Sequence, residues 1–134
     1  MLIKEELSMK KYIFALCAGC LVSSAYAQYA NIEGFYSSET TSLQIILLDD
    51  DSGVAAASTT VVMGGCSGTM VGIGKMSGNV LQFKPYKKEE GAEECVITAT
   101  FNKKRTKANI EESQCGYYHG ASCGWEGQSV NKKR

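Results

Sequence analysis

The stretch Ser42-Leu43-Gln44-Ile45-Ile46-Leu47-Leu48, followed by Asp49-Asp50-Asp51-Ser52-Gly53 and then Val54-Ala55-Ala56-Ala57-Ser58-Thr59-Thr60-Val61-Val62-Met63, decides the fold. Leu43, Ile45 and Leu47 recur with a period of two, which places them on one face of an extended chain. The acidic cluster and Gly53 end that segment as a turn, because short side chains that bond their own backbone, and Gly, tolerate turn conformations. The next segment is rich in small and β-branched residues, as half-buried strands are. Gly64-Gly65 ends it.

The same pattern continues outward in both directions. Ile32 to Ser37 precedes as a first strand. Thr69 to Ile73 and Val80 to Phe83 follow, with Gly74 to Asn79 expected as the hairpin between them. The single proline, Pro85, opens a charged loop, Lys87 to Glu94. Cys95, Ile97, Ala99 and Phe101 then share a face of one strand. A short strand near Thr106 to Glu111 and a last one from Ser122 to Val130 complete the set. No segment combines a helical period with caps. About eight short strands with regularly spaced turns predict a small all-β domain, an antiparallel meander closed as a barrel or flattened as a sandwich.

Met9-Lys10-Lys11, the mostly apolar Tyr12 to Val22, and Ser23-Ser24-Ala25-Tyr26-Ala27 read as the three regions of a secretory signal peptide. Residues 1–27 are therefore expected to be cleaved, leaving residues 28–134 as a single β domain. Glu5 and Glu6 are foreign to a leader's basic start, so translation is expected to begin at Met9. The apolar stretch is too short to span a bilayer, which takes about 20 residues. No later segment is apolar enough, so no transmembrane segment is expected. Ala18-Gly19-Cys20 matches the end of a lipoprotein box, but Cys17 stands where such boxes usually carry Leu; a lipid on Cys20, the alternative, would make a membrane-anchored protein of the same fold.

Of the chain's 134 residues, the 107 after Ala27 suffice for one domain with a modest core. Of 14 basic and 14 acidic residues, three and two precede Gln28, leaving 11 against 12. That balance provides no field to steer a polyanion, so nucleic acid is not an expected partner. Lys103-Lys104-Arg105 and Lys132-Lys133-Arg134 read as a turn and a tail. Of six cysteines, two lie in the leader, and Cys66, Cys95, Cys115 and Cys123 remain. In an exported small domain such an even set predicts two disulfides. Three connectivities exist; Cys66 with Cys95 and Cys115 with Cys123 is favoured, because the latter two flank a short Gly-containing segment.

Each pattern that could carry catalysis has a plainer reading. Gly64-Gly65-Cys66-Ser67-Gly68 has the spacing of a nucleophile elbow, but that turn needs a large α/β sheet and a free thiolate. Cys95, Cys115, Cys123 and His119 could form a zinc set, yet structural zinc sites use close Cys pairs, absent here, and export favours disulfides. Asp49-Asp50-Asp51-Ser52-Gly53 fails as a calcium loop, since the Gly comes one position early and Thr60 occupies the place of the bidentate Glu. Gly72-Ile73-Gly74-Lys75-Met76 lacks the residues of a phosphate loop. The pairs Glu89-Glu90, Glu93-Glu94 and Glu111-Glu112 have charged, polar neighbours rather than the apolar pocket an acid catalyst needs. The reading is no enzyme, no metal and no cofactor.

The segment Gly116 to Ser122, followed by Trp125, has the Tyr, Ser and Gly composition of a recognition loop, in which rigid rings give contact area at low entropic cost. Tyr117, Tyr118, His119, Ser122 and Trp125 are the candidate partner-binding residues. Trp125 alternates in phase with Cys123, which also suits a core position.

The ending Cys115 to Gly127, with Tyr-His-Gly-Ala and then Cys-x-Trp-x-Gly, resembles the closing part of small cysteine-containing β domains of bacterial envelope proteins, some of them linked to LprI-type lysozyme inhibitors. Gly64-Gly65-Cys66 and the Cys95 strand fit the same pattern, although the helical Cys-rich module of LprI is missing. The resemblance transfers no functional residue; the leader and the loop's composition together lead to the expectation of a periplasmic or secreted protein that binds another protein, for example a cell-wall hydrolase such as lysozyme, through the disulfide-bounded loop. The alternatives are a small-ligand carrier and a structural envelope protein.

Overall fold

A computed structural model describes residues 28–92 and 94–134. The expected leader, with Met9 and Cys20, lies outside the described residues, as does Glu93. Eight strands follow one another: β1 Gly34–Ser37, β2 Thr41–Asp49, β3 Val54–Met63, β4 Cys66–Ser77, β5 Val80–Pro85, β6 Val96–Phe101, β7 Lys107–Ser113 and β8 Gln128–Lys132. Each pairs antiparallel with the next, and β1 pairs with β8 through Tyr36 opposite Lys132 and Ser37 opposite Asn131, closing a barrel. The sheet has no free edge, which removes the hazard of unpaired strands. Barrel, rather than sandwich, is thus the form the meander takes.

Period-two burial fills the interior. Leu43 and Ile45 of β2 face inward and Leu47 is partly covered, as the alternation predicts, and Ile97, Ala99 and Phe101 of β6 are buried with Cys95 just before them. Side-chain volume is distributed unevenly around the ring. Ala55 and Ala57 on β3 share the core with the large Tyr36, Leu81 and Phe83 of other strands. Alternating small and large residues is how a narrow barrel is filled.

Two strand boundaries differ most from expectation. Gly74 to Asn79 is not a hairpin loop: β4 continues to Ser77, and only Gly78 and Asn79 turn before Val80. Gly74 lies in the strand because β5 approaches it so closely that a Cβ would collide with the Gln82 carbonyl oxygen. The last strand begins at Gln128 rather than Ser122, since Cys123 is drawn away from the ladder toward Cys66.

The favoured disulfide connectivity is also corrected. Cys66 bonds Cys123, and Cys95 bonds Cys115. Register dictates the second bond. Val96 pairs with Ser113, so Cys95 and Cys115 both leave the end of the β6–β7 ladder, and Gln114, with a left-handed φ of 56°, turns Cys115 back toward its partner. Their Cα atoms are 4.5 Å apart, within the range a disulfide spans. Two disulfides place the chain in an oxidising compartment outside the cytoplasm. Among the described residues no helix is long and apolar enough to cross a membrane.

The barrel has two unlike ends. At the Gln28 end, a 3-10 turn at Ala30–Ile32 buries Ile32, and Tyr29 is covered beside it. The Arg105 guanidinium donates to the Gln28 carbonyl at 3.0 Å and to Asn31 Oδ1 at 2.7 Å, and lies over the Tyr29 ring. The Tyr36 hydroxyl lies 2.9 Å from the Ile32 carbonyl and 3.2 Å from that of Arg105, so its single proton serves one at a time. Burial pushes its pKa up to about 12, against a smaller opposing effect of Arg105.

Candidate functional site

The opposite end is closed by residues 114–127, the segment between β7 and β8. It is held at both margins by the two disulfides and in its middle by β4. His119 forms a β-bridge with Gly68, and the Gly120 N–H donates to the Ser67 carbonyl at 3.3 Å. Gly68 permits this approach, because a Cβ there would meet the Tyr118 carbonyl oxygen and the backbone and Cβ of His119. Trp125 then enters the barrel mouth and is wholly buried. Its indole Nε1 has no hydrogen-bond partner among the described residues.

Glu112, near the end of β7, organises the underside of the loop. One carboxylate oxygen accepts the Trp125 backbone N–H at 2.6 Å, and the other lies 2.7 Å from His119 Nε2. His119 Nδ1 lies 2.7 Å from the Gly120 carbonyl, and its ring meets Trp125 edge to face at 5.4 Å. The His119 and Glu112 side chains are only 12% and 15% exposed. Burial lowers the His119 pKa, but the Gly120 carbonyl and the Glu112 carboxylate together outweigh it and leave the pKa raised. Beside this pair, Glu126 approaches Glu111. The hydrogen bond that protonated Glu111 donates to the Glu126 carboxylate, then partial desolvation and the Glu126 charge, raise the Glu111 pKa.

The five candidate binding residues fall into three groups. Tyr117, 58% exposed, and Ser122 face solvent. Tyr118 packs partly against the core with its ring 5.1 Å from that of Tyr117, and His119 is engaged with Glu112. Trp125 belongs to the core, the position its phase with Cys123 suits. Sequence reading missed Glu112, which stood only as half of an acidic pair; nothing local marks it, because His119 and Trp125 reach it from across the loop. A shallow open depression of about 400 Å³ lies here, lined among others by Met63, Glu112, His119, Ser122 and Glu126.

At the other end, Asp49, Asp50 and Asp51 bring carboxylate oxygens within 4.8 Å of one another on an exposed turn. Asp49 accepts the N–H of Asp51 at 3.0 Å and of Ser52 at 3.3 Å. Hydrogen bonds, that of the Ser52 side chain foremost, hold its carboxyl below the usual range. These contacts fit the turn that the sequence predicts. No family model, curated protein or solved structure matches the chain.

Proposed function

We propose that the protein is a periplasmic or secreted binding protein that docks the loop Tyr117 to Ser122 onto another protein, with a cell-wall hydrolase such as lysozyme as the leading partner class. The observation that carries this reading is the construction of the loop. Two disulfides, a β-bridge and the Glu112 contacts fix its backbone, while Tyr117, Gly120, Ala121 and Ser122 stay exposed. A recognition loop ordered before binding loses little entropy on docking, and an exposed Tyr is a typical anchor.

A binding role also fits the state of the reactive groups. All four cysteines of the described residues are in disulfides, and the chain's single histidine has both ring nitrogens engaged. A general base needs one free to take a proton. The carrier alternative is weaker, because the interior is occupied by Tyr36, Phe83, Met70 and Trp125.

The experiment is a capture from envelope extract and a panel of lysozymes with oxidised residues 28–134 as bait, and Tyr117→Ala/Ser122→Ala as control. A hydrolase held by the native loop and lost by the variant, at unchanged melting temperature, supports the reading. Capture indifferent to the loop refutes it.

A further inference from the structure

We propose that the rim of the barrel formed by the β6–β7 turn and the end of β8 is a docking surface for anionic lipid headgroups. Two basic runs far apart in sequence meet there. The Lys132 N–H donates to the Thr106 carbonyl at 2.8 Å, and Lys107 pairs with Asn131 across β7 and β8. Lys103, Lys104, Arg105, Lys107, Lys132, Lys133 and Arg134 thus share one rim, seven of the 11 basic residues after Ala27.

They divide by role. Arg105 and Lys132 hold the start of the domain: Arg105 binds Gln28 and Asn31, and Lys132 Nζ donates to the Asn31 carbonyl at 2.7 Å above the Tyr36 ring. Lys103, Lys104, Lys107, Lys133 and Arg134 are exposed and make no ion pair among the described residues. Five exposed cations on the β6–β7 turn, the start of β7 and the residues after β8 give this rim a local positive potential that an anionic surface would complement. The acidic turn Asp49 to Asp51 lies on the opposite side of the same end, since β2–β3 and β6–β7 face each other across the ring. The basic rim, not the whole end, is the contact.

A membrane, rather than another polyanion, is favoured by where the chain joins the barrel. Arg105 fixes Gln28 at this rim, so residues 1–27 are joined to the domain here. An apolar leader in the bilayer before cleavage, or a lipid on Cys20, would hold this rim against the headgroups. The near-neutral charge of the whole domain supplies little long-range steering of a nucleic acid, whereas a basic rim already close to an anionic bilayer acts within a Debye length, about 10 Å. Contact at this end leaves the Tyr117 loop, at the other, facing away from the membrane.

The test is sedimentation of oxidised residues 28–134 with vesicles of phosphatidylcholine alone or with phosphatidylglycerol added. Binding should require the anionic lipid, fall with added salt, and weaken at least about tenfold in Lys103→Glu/Lys104→Glu/Lys133→Glu. The equally charged control Lys84→Glu/Lys87→Glu/Lys88→Glu, on β5 and the loop after it, should bind as the native chain does. Lipid quenchers should leave the emission of Trp125, at the far end, unchanged. Equal loss in both triple variants, no binding to anionic vesicles at low salt, or tighter binding to single-stranded DNA at the same salt would each overturn the proposal. Unchanged melting of both variants excludes misfolding as the cause.

Discussion

Glu112 and His119 form a pair that is complete only when charged. His119 Nε2 lies 2.7 Å from the Glu112 carboxylate and Nδ1 lies 2.7 Å from the Gly120 carbonyl. Both partners are acceptors, so both contacts are hydrogen bonds only when both ring nitrogens carry protons. The geometry and the raised pKa of His119 agree on this point.

A pH dependence follows. Because folded His119 holds its proton more tightly than an unfolded histidine at 6.5, its stabilisation is full below that pH and is lost as pH rises through the raised folded value. The melting temperature of residues 28–134 should therefore fall across that window, and the fall should be smaller in His119→Gln. Glu112→Gln, which removes the charge but keeps an acceptor, should cost about 1 to 2 kcal/mol below the window and less above it. Parallel profiles for the native chain and His119→Gln would show that the pair does not titrate as described.

The adjacent Glu111 has the same sign of dependence. Glu111 with its raised pKa is destabilising once ionised beside Glu126, so its favourable contribution lies at acid pH and is lost as pH rises through the folded value. Glu126→Gln should raise the melting temperature at neutral pH and not in acid. The Gln side chain still offers an oxygen to the Glu112 N–H, which Glu126 contacts at 3.4 Å. Equal melting of variant and native chain at neutral pH would mean that the two carboxylates do not repel.

The barrel was legible because period-two alternation is local: Leu43, Ile45 and Leu47, or Cys95 to Phe101, carry it within single strands. Closure was not, since it depends on Tyr36 meeting Lys132 across the whole chain. The cysteine pairing failed for a related reason. Cys115 and Cys123 looked adjacent along the chain, but β7 carries Cys115 to the β6 end, and the loop lies across β4, where Cys66 waits. The loop itself was visible from its composition, whereas the residue that organises it, Glu112, was hidden in a strand.

The two disulfides should differ in weight. Cys66 and Cys123 are 57 residues apart and Cys95 and Cys115 are 20 apart. In the chain-entropy view the longer loop gains more, roughly 4 against roughly 3 kcal/mol. Cys66→Ala/Cys123→Ala should lower stability more than Cys95→Ala/Cys115→Ala in denaturant melts. Peptide mapping of the oxidised native chain should recover only these pairings; a peptide joining Cys115 to Cys123 would refute the connectivity.

Trp125 separates volume from hydrogen bonding. Truncating a fully buried Trp to Ala should cost about 3 to 5 kcal/mol through lost contacts and the cavity left behind. Its Nε1–H, however, has no acceptor among the described residues. Trp125→Phe therefore loses ring volume without losing a hydrogen bond and should cost well under half as much in the same melts. A Phe variant as unstable as the Ala variant would mean that the indole N–H is bonded in solution.

Gly68→Ala tests whether loop order, rather than loop composition, governs recognition. The added methyl would press on the backbone of Tyr118 and His119, and β4 is held here by its pairing with β3, where Gly68 stands opposite Val61, so the loop must yield. Overpacking of this kind costs about 1 to 3 kcal/mol. The β-bridge and the Gly120 to Ser67 hydrogen bond should be lost with it, while Tyr117 and Ser122 remain chemically intact. Amide exchange at Gly120 should accelerate, and affinity for any loop-dependent partner should fall mainly through faster dissociation, because the ordering entropy is then lost on binding. A variant with fast exchange at Gly120 and native affinity would show that the partner reads the side chains alone and that the stapling serves stability only.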